Sequence, residues 1–349
     1  MKKTLSSLLI TLALLSTSCG NDEEITILSP EEARASLERM ESDLASDFSS
    51  ISTSPGLIAI SQILNFDIEG LLNQRSGSQG TSLKSHMEQL RNALSDRLAN
   101  GRISEESCFG FEERVGIYEY ELENDEFIRV SDSDFIILNF PTTDSSGNNA
   151  SLSILRFNET SFQIFGDDEI CLPSEIEIDL SIDGTTQLEL DIRVSYNSQF
   201  FLNTFDMDLF LNPYSFQLSI NNSSSQSVRL ASSLSTENES ILSTEITTNF
   251  TDHSKVEAAS IDGFFQYRNI RFLGNLSGFS EFEENPNLDP NSLIDIQVFD
   301  GNLKMGDVVL VAEEDEDDEY YPFIQLSDGS LVSIEALFEM LLEGSEFFG

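Results

Sequence analysis

The sequence predicts an α+β protein: a large, mostly antiparallel, curved β-sheet covered by N-terminal helices and a C-terminal helix. Three observations carry that expectation. Apolar residues recur at helical spacing between residues 29 and 101, the period drops to two after Cys108, and a last helical pattern closes the chain after residue 332. The expected organisation is a leader over 1–18, an acidic tether over 19–28, a helical layer over 29–101 and a β-rich region with the closing helix over 102–349. Without a composition break, 29–349 reads as one compact unit.

The first helix opens at "SPEE". Ser29 is placed to cap it, Pro30 suits the first helical position, and Glu32 completes a capping box. Leu37, Met40, Leu44, Phe48 and Ile51 then form one apolar stripe. "GLIAISQILNF" is apolar nearly all round and predicts a short buried helix near 56–66. A third amphipathic helix runs through Leu83, Met87, Leu90, Leu94 and Leu98 and stops at Asn100-Gly101. "RSGSQG" links the two.

Strands follow around 116–122, 126–130, 134–140, 151–157 and 161–165. The clearest pattern is "EIEIDLSIDGTTQLELDIRV". Ile176, Ile178, Leu180 and Ile182 alternate with polar residues, Asp183-Gly184 turns the chain, and Leu188, Leu190, Ile192 and Val194 alternate again. Glu175, Glu177, Asp179, Glu189 and Asp191 share the opposite, solvated face. Further strands are expected around 205–211, 215–220, 241–250, 261–273, 294–299 and 303–311, with "YPFIQL" after the acidic run. "SIEALFEMLLEG" reads as the closing helix, with Leu337, Met340 and Leu341 on its apolar side.

The chain has 349 residues, 39% hydrophobic, with 26 Phe, enough for a packed core. Its net charge is −44, from 62 acidic against 18 basic residues. That surface repels phosphate backbones and anionic headgroups, so nucleic acid is not an expected partner.

Residues 1–18 have the three parts of an export signal. Lys2 and Lys3 are basic, Leu5 to Leu15 is a short apolar run, and Ser16-Thr17-Ser18 is small. The run is too short to span a bilayer as a helix, which needs roughly 20 residues. "LLSTSC" resembles the signal of bacterial lipoproteins, in which the cysteine is lipidated and becomes the N-terminus after cleavage. The family prefers Leu three residues before the cysteine; here Ser16 stands there and Leu15 lies one step back. Asn21-Asp22-Glu23-Glu24 resembles the acidic export stretch of Bacteroidota-type surface lipoproteins, and reads equally as a polar tether in an acidic protein. The resemblance implies attachment through Cys19, an outer-membrane or cell-surface location, and the membrane as partner through the lipid. Ser16 and Ser18 also fit ordinary small-x-small cleavage, which would leave Cys19 as a lone exposed thiol, a liability in an oxidising compartment.

Cys108 and Cys171 remain. In an exported chain they can form a disulfide closing a loop of about 60 residues, worth about 4 kcal/mol on the chain-entropy model; the alternative is two buried thiols. Catalytic signals are weak. His86 and His253 are the only histidines and neither sits in a motif, while G-x-S-x-G, HExxH and phosphate-loop patterns are missing. No catalytic residue and no cofactor is therefore expected. Calcium is the ion this composition suits, with weak candidates at Glu313, Glu314, Asp315, Glu316, Asp317, Asp318 and Glu319, and a weaker one in "NPNLDPN" at 285–291. A solvated, mobile acidic loop is the preferred reading of the first. "QFFLNTF" and "DGFFQYRNIRF" either line an apolar cavity or pack as core. The expected function is a non-enzymatic envelope lipoprotein with a binding or interaction role. The alternatives are a secreted carboxylate-based hydrolase, which needs two carboxylates on a cleft, and a calcium-stabilised adhesin.

Overall fold

The computed structural model describes residues 26–58, 109–124, 126–142, 145–163, 169–255, 257–278, 285, 288–312 and 320–334. Helix α1 spans Pro30–Ser52. Sixteen strands follow: β1 Gly116–Glu121, β2 Glu126–Ser131, β3 Ile136–Phe140, β4 Ala150–Gln163, β5 Glu169–Ile182, β6 Thr185–Tyr196, β7 Leu202–Leu211 and β8 Tyr214–Asn221, then β9 Ser227–Ser235, β10 Ser240–Phe250, β11 Ala258–Tyr267, β12 Ile270–Ser277, β13 Ile294–Asp300, β14 Leu303–Ala312, β15 Tyr320–Leu326 and β16 Leu331–Ser333. They form one sheet in the order β16 through β3 without interruption, then β1 and β2. The registered pairs are antiparallel except β1 with β3, which is parallel.

The α+β expectation is corrected. Strands hold 59% of the described residues and helices about 15%, so the described protein is mostly β, and among the described residues α1 is the one long helix. The error has a physical source. Strand patterns were broken at polar residues that the real strands run straight through. The expected segments 151–157 and 161–165 are not separate: β4 runs through the first and into the second as far as Gln163, and its register shifts at Ile154/Arg156 and Asn158/Glu159 absorb the breaks in alternation. Strand β9, "SVRLASSLS", went unseen because serine carries no hydrophobic period. The expected segment 261–273 is instead two strands around the turn at Arg268 and Asn269. Ser333, where the closing helix was expected to begin, ends β16. Leu337, Met340 and Leu341 lie outside the described residues, as do the third expected helix and most of the second.

The described residues fall into two compact units. The first combines Met1–Ser52 with Phe216–Gly349. Here α1 starts as its capping box dictates: Glu32 N–H donates to Ser29 Oγ at 3.4 Å, and Ser29 N–H donates back to Glu32 Oε2 at 3.2 Å. Ser29 Oγ also donates to Glu32 Oε2 at 2.7 Å, and that bond, then the Ser29 N–H bond, holds the Glu32 carboxyl below its usual range. Ala33, Ser36, Met40 and Leu44 are its buried side, a stripe turned slightly from the predicted one. Polar contacts fix the helix to strand ends: Ser36 Oγ donates to Asp300 at 2.6 Å, Arg34 donates to Ser330 at 2.7 Å, and Asp47 accepts from Tyr267 Oη at 2.7 Å. Alternation, broken only at the β13–β14 register shift among these strands, then builds the core from Phe265, Tyr267, Phe272, Val298, Met305 and Ile324, all at most 4% exposed. Phe265, Tyr267 and Phe272 of "DGFFQYRNIRF" thus supply core, while Phe264 is half-buried on the other face of β11, and the Phe265 and Phe272 rings lie 6.0 Å apart edge to face. Gly263 and Gly274 pair directly across β11 and β12. A Cβ there would lie 1.9 Å from Glu245 O or 1.7 Å from Asp295 O, so only glycine fits.

The second unit is Thr53–Ser215. Residues 55–58 form a helical turn begun by Ser54, whose carbonyl accepts from Ile58 N–H at 3.1 Å. Asp183 and Gly184 both have positive φ, 51° and 73°, as the primed hairpin turn requires. Buried residues from β1 to β6, among them Tyr118, Phe127, Ile136, Leu138, Phe140, Ile154 and Leu180, lie on one face of the strands.

Candidate binding surface

The other face of the second unit carries charge in rows, because directly opposed residues on neighbouring strands point to the same side. Across β4 to β7 one row reads Arg156, Glu177, Asp191, Asp208. A second reads Asn158, Glu175, Arg193, Asp206, and a third Ser153, Asp179, Glu189, Phe210. The hairpin pattern located five of these acids from sequence. Asp206 and Asp208 were missed, although "FDMDLFL" alternates in the same way; its register against β6 places both on the acidic side.

The rows set like charges opposite one another at Glu177/Asp191, Asp191/Asp208 and Asp179/Glu189. Each such pair costs roughly 0.2–1 kcal/mol. Arg156 offsets part of this by pairing with Glu175 and, at 3.5 Å, with Glu177; Arg193 pairs with Asp191. The Arg156 bond holds the Glu175 carboxyl below its usual range, helped by Asn158 at 2.8 Å. Asp179 goes the other way. Partial burial, then Glu189 and Glu177 nearby, push its carboxyl up. Two guanidinium groups thus face seven carboxylates across these rows, and a cationic partner would remove the remaining repulsion.

Towards the sheet end, the same face changes character. Glu119 and Asn139 are linked at 2.8 Å, and beside them Ile117, Ile128 and Ile137 lie on the acidic side of the strands, with Phe135 immediately before β3. Phe135 is 40% exposed and Ile128 36%.

Cys171 on β5 is disulfide-bonded. Cys19 and Cys108 lie outside the described residues, as do Glu313, Glu314, Asp315, Glu316, Asp317, Asp318, Glu319 and His86. Asp289 of "NPNLDPN" caps a short 3₁₀ turn, accepting from Asn291 N–H at 2.9 Å. Among the described residues no group of three or more His, Cys, Asp or Glu is arranged to hold a metal ion. His253 is exposed in the turn between β10 and β11. A hollow of about 120 Å³ lies between α1 and β16, lined by Leu37, Met40, Val332 and others. That is below the roughly 300–1,000 Å³ of small-molecule sites. No described helix is long and apolar enough to cross a membrane.

No protein family model, no curated protein and no solved structure matches this chain.

Proposed function

We propose that this chain is an exported envelope lipoprotein, anchored through Cys19, that acts by binding a cationic partner. The acidic face of β4 to β7 carries the binding role: its opposed carboxylates lie on half-buried to exposed positions and attract positive charge at the expense of local stability. A hydrolase would use the same face differently, with Asp179, whose carboxyl is pushed up by burial and by Glu189, as the acid. Glu189 is exposed on an open strand position, which favours binding over catalysis.

Two features support the anchored, exported setting. Thr26, the first described residue, is held to the folded body: its carbonyl accepts from Lys304 N–H at 2.9 Å, and Leu28 N–H donates to Lys304 O at 2.8 Å. Only seven residue steps separate Thr26 from Cys19, about 25 Å when fully extended, so a lipid on Cys19 would keep the body near the bilayer. The several acyl chains of a lipoprotein hold stably. The second feature is the Cys171 disulfide, which suits an oxidising compartment. Cys108 is the partner we assign to it. Phe109 donates its N–H to Glu159 at 2.9 Å, and Glu159 sits opposite Pro173, two residues from Cys171.

The test is intact-mass analysis of membrane-extracted protein with non-reducing peptide mapping. Acyl mass on Cys19, release from membranes on Cys19→Ala, and a Cys108–Cys171 linked peptide are expected. A plain Cys19 N-terminus overturns the anchor.

A further inference from the structure

Strand β2 ends the sheet order, with no strand beyond it among the described residues. Such an edge is a template for another strand, and natural sheets commonly blunt it. The opposite end is blunted: β16 has three residues. In contrast β2 has six, carries no proline, and exposes apolar side chains along its length. Ile128 is 36% and Val130 55% exposed, and the strand continues onto the patch of Ile117, Phe135 and Ile137. Its opposite side is anchored: Phe127 is buried against Tyr120, and Arg129 donates to Val115 O at 3.0 Å and to Asp132 at 2.8 Å. The edge is therefore held in extended form, ready for a partner.

Charge decides what that partner is. Around the apolar positions stand Glu119, Glu121, Glu123, Glu126, Asp132 and Asp134, and the nearby cation, Arg129, is already engaged. The same face continues into the acidic rows of β5 to β7. A second copy would bring identical acids to the seam on a chain of net charge −44. Resting on the reading of this face as a binding surface, we infer that β2 takes up an extended peptide segment of a partner protein, in which apolar residues alternate with lysine or arginine. Main-chain bonds to the edge supply affinity, the apolar residues cover Ile128 and its neighbours, and the basic ones meet the acids.

The probe is a synthetic peptide alternating lysine with valine and isoleucine, titrated into the full chain at about 0.15 M salt. Saturable binding is expected. It should weaken roughly tenfold when alternate peptide amides are N-methylated, when the same residues are rearranged into separate lysine and apolar blocks, and on Ile128→Glu, an exposed change that leaves the core alone. If the methylated and rearranged peptides bind as well as the alternating one, or nothing binds, the edge role is overturned. The acidic face fails separately: unchanged affinity in Glu177→Gln/Asp191→Asn/Asp208→Asn removes it and leaves the edge standing. Sedimentation and hydrogen exchange of the free chain address the other occupants. A dimer dissociated by Ile128→Glu would give the edge to a second copy. Slow exchange, in a monomer, of the β2 amides that point away from β1 would show the edge covered by its own chain. Either overturns the basic partner.

Discussion

Replacing Asp47 by Ala is expected to cost about 3 kcal/mol. Asp47 lies on α1 and receives three bonds from the turn between β11 and β12: Tyr267 Oη at 2.7 Å and Arg268 Nη2 at 2.9 and 3.1 Å. Tyr267 is 1% exposed, so its hydroxyl has no access to water as a replacement acceptor. An unsatisfied buried hydroxyl costs roughly 1–3 kcal/mol, and a hydrogen bond to a charged group contributes about 1.5–3. The two losses overlap because Arg268 keeps its second partner, Glu239. Glu239 is the control. Its side chain is 48% exposed, and Glu239→Ala should cost under about 1 kcal/mol. The clasp also has a pH signature. Burial and then the Asp47 carboxylate push the Tyr267 phenol above its ordinary value, so its contribution is complete below about pH 10 and lost as pH rises through the folded value. The assay is urea denaturation followed by far-UV circular dichroism and tyrosine fluorescence, since the chain has no tryptophan. With m near 1–3 kcal/mol/M, the Asp47→Ala midpoint should fall by about 1–3 M. Equal shifts for Asp47→Ala and Glu239→Ala would refute the reasoning, because burial, not ion pairing, sets the magnitude.

Two further outcomes follow from the geometry. Gly274→Ala should destabilise by about 2 kcal/mol or more in the same assay, because the added methyl meets the Asp295 carbonyl with no flexible side chain to yield. Asp179→Asn should stabilise the protein at neutral pH by up to about 1 kcal/mol, since it removes like-charge repulsion from Glu189. The sign follows from the raised folded-state carboxyl: the native state favours the proton, so Asp179 stabilises below the ordinary aspartate range and loses that contribution as pH rises. The gain from Asp179→Asn should therefore shrink as pH falls towards 3.8; a gain independent of pH would refute it.

The sequence alone determined what is local. Ser29, Pro30 and Glu32 start α1 because a helix N-terminus needs its amides satisfied by residues at hand. Asp183-Gly184 and the flanking alternation define the β5–β6 hairpin because turn geometry and a two-residue period are written in adjacent residues. Five acids of the acidic face were likewise readable from that hairpin. Cross-strand register was not. Asp208 belongs beside Asp191 only because β7 pairs with β6 in that register, and shifting it by one residue would put Met207 on the acidic side instead. The fold class went wrong for a related reason: a strand can be held by its neighbours' hydrogen bonds even where its own sequence, as in serine-rich β9, carries little periodic signal. The exposed edge was also invisible, because "EFIRVS" reads as an ordinary strand until the topology places it last in the sheet. Periodicity reports which side of a segment meets a core; only the tertiary structure decides which segments become neighbours, and therefore which charges face each other and which of the described strands ends the sheet.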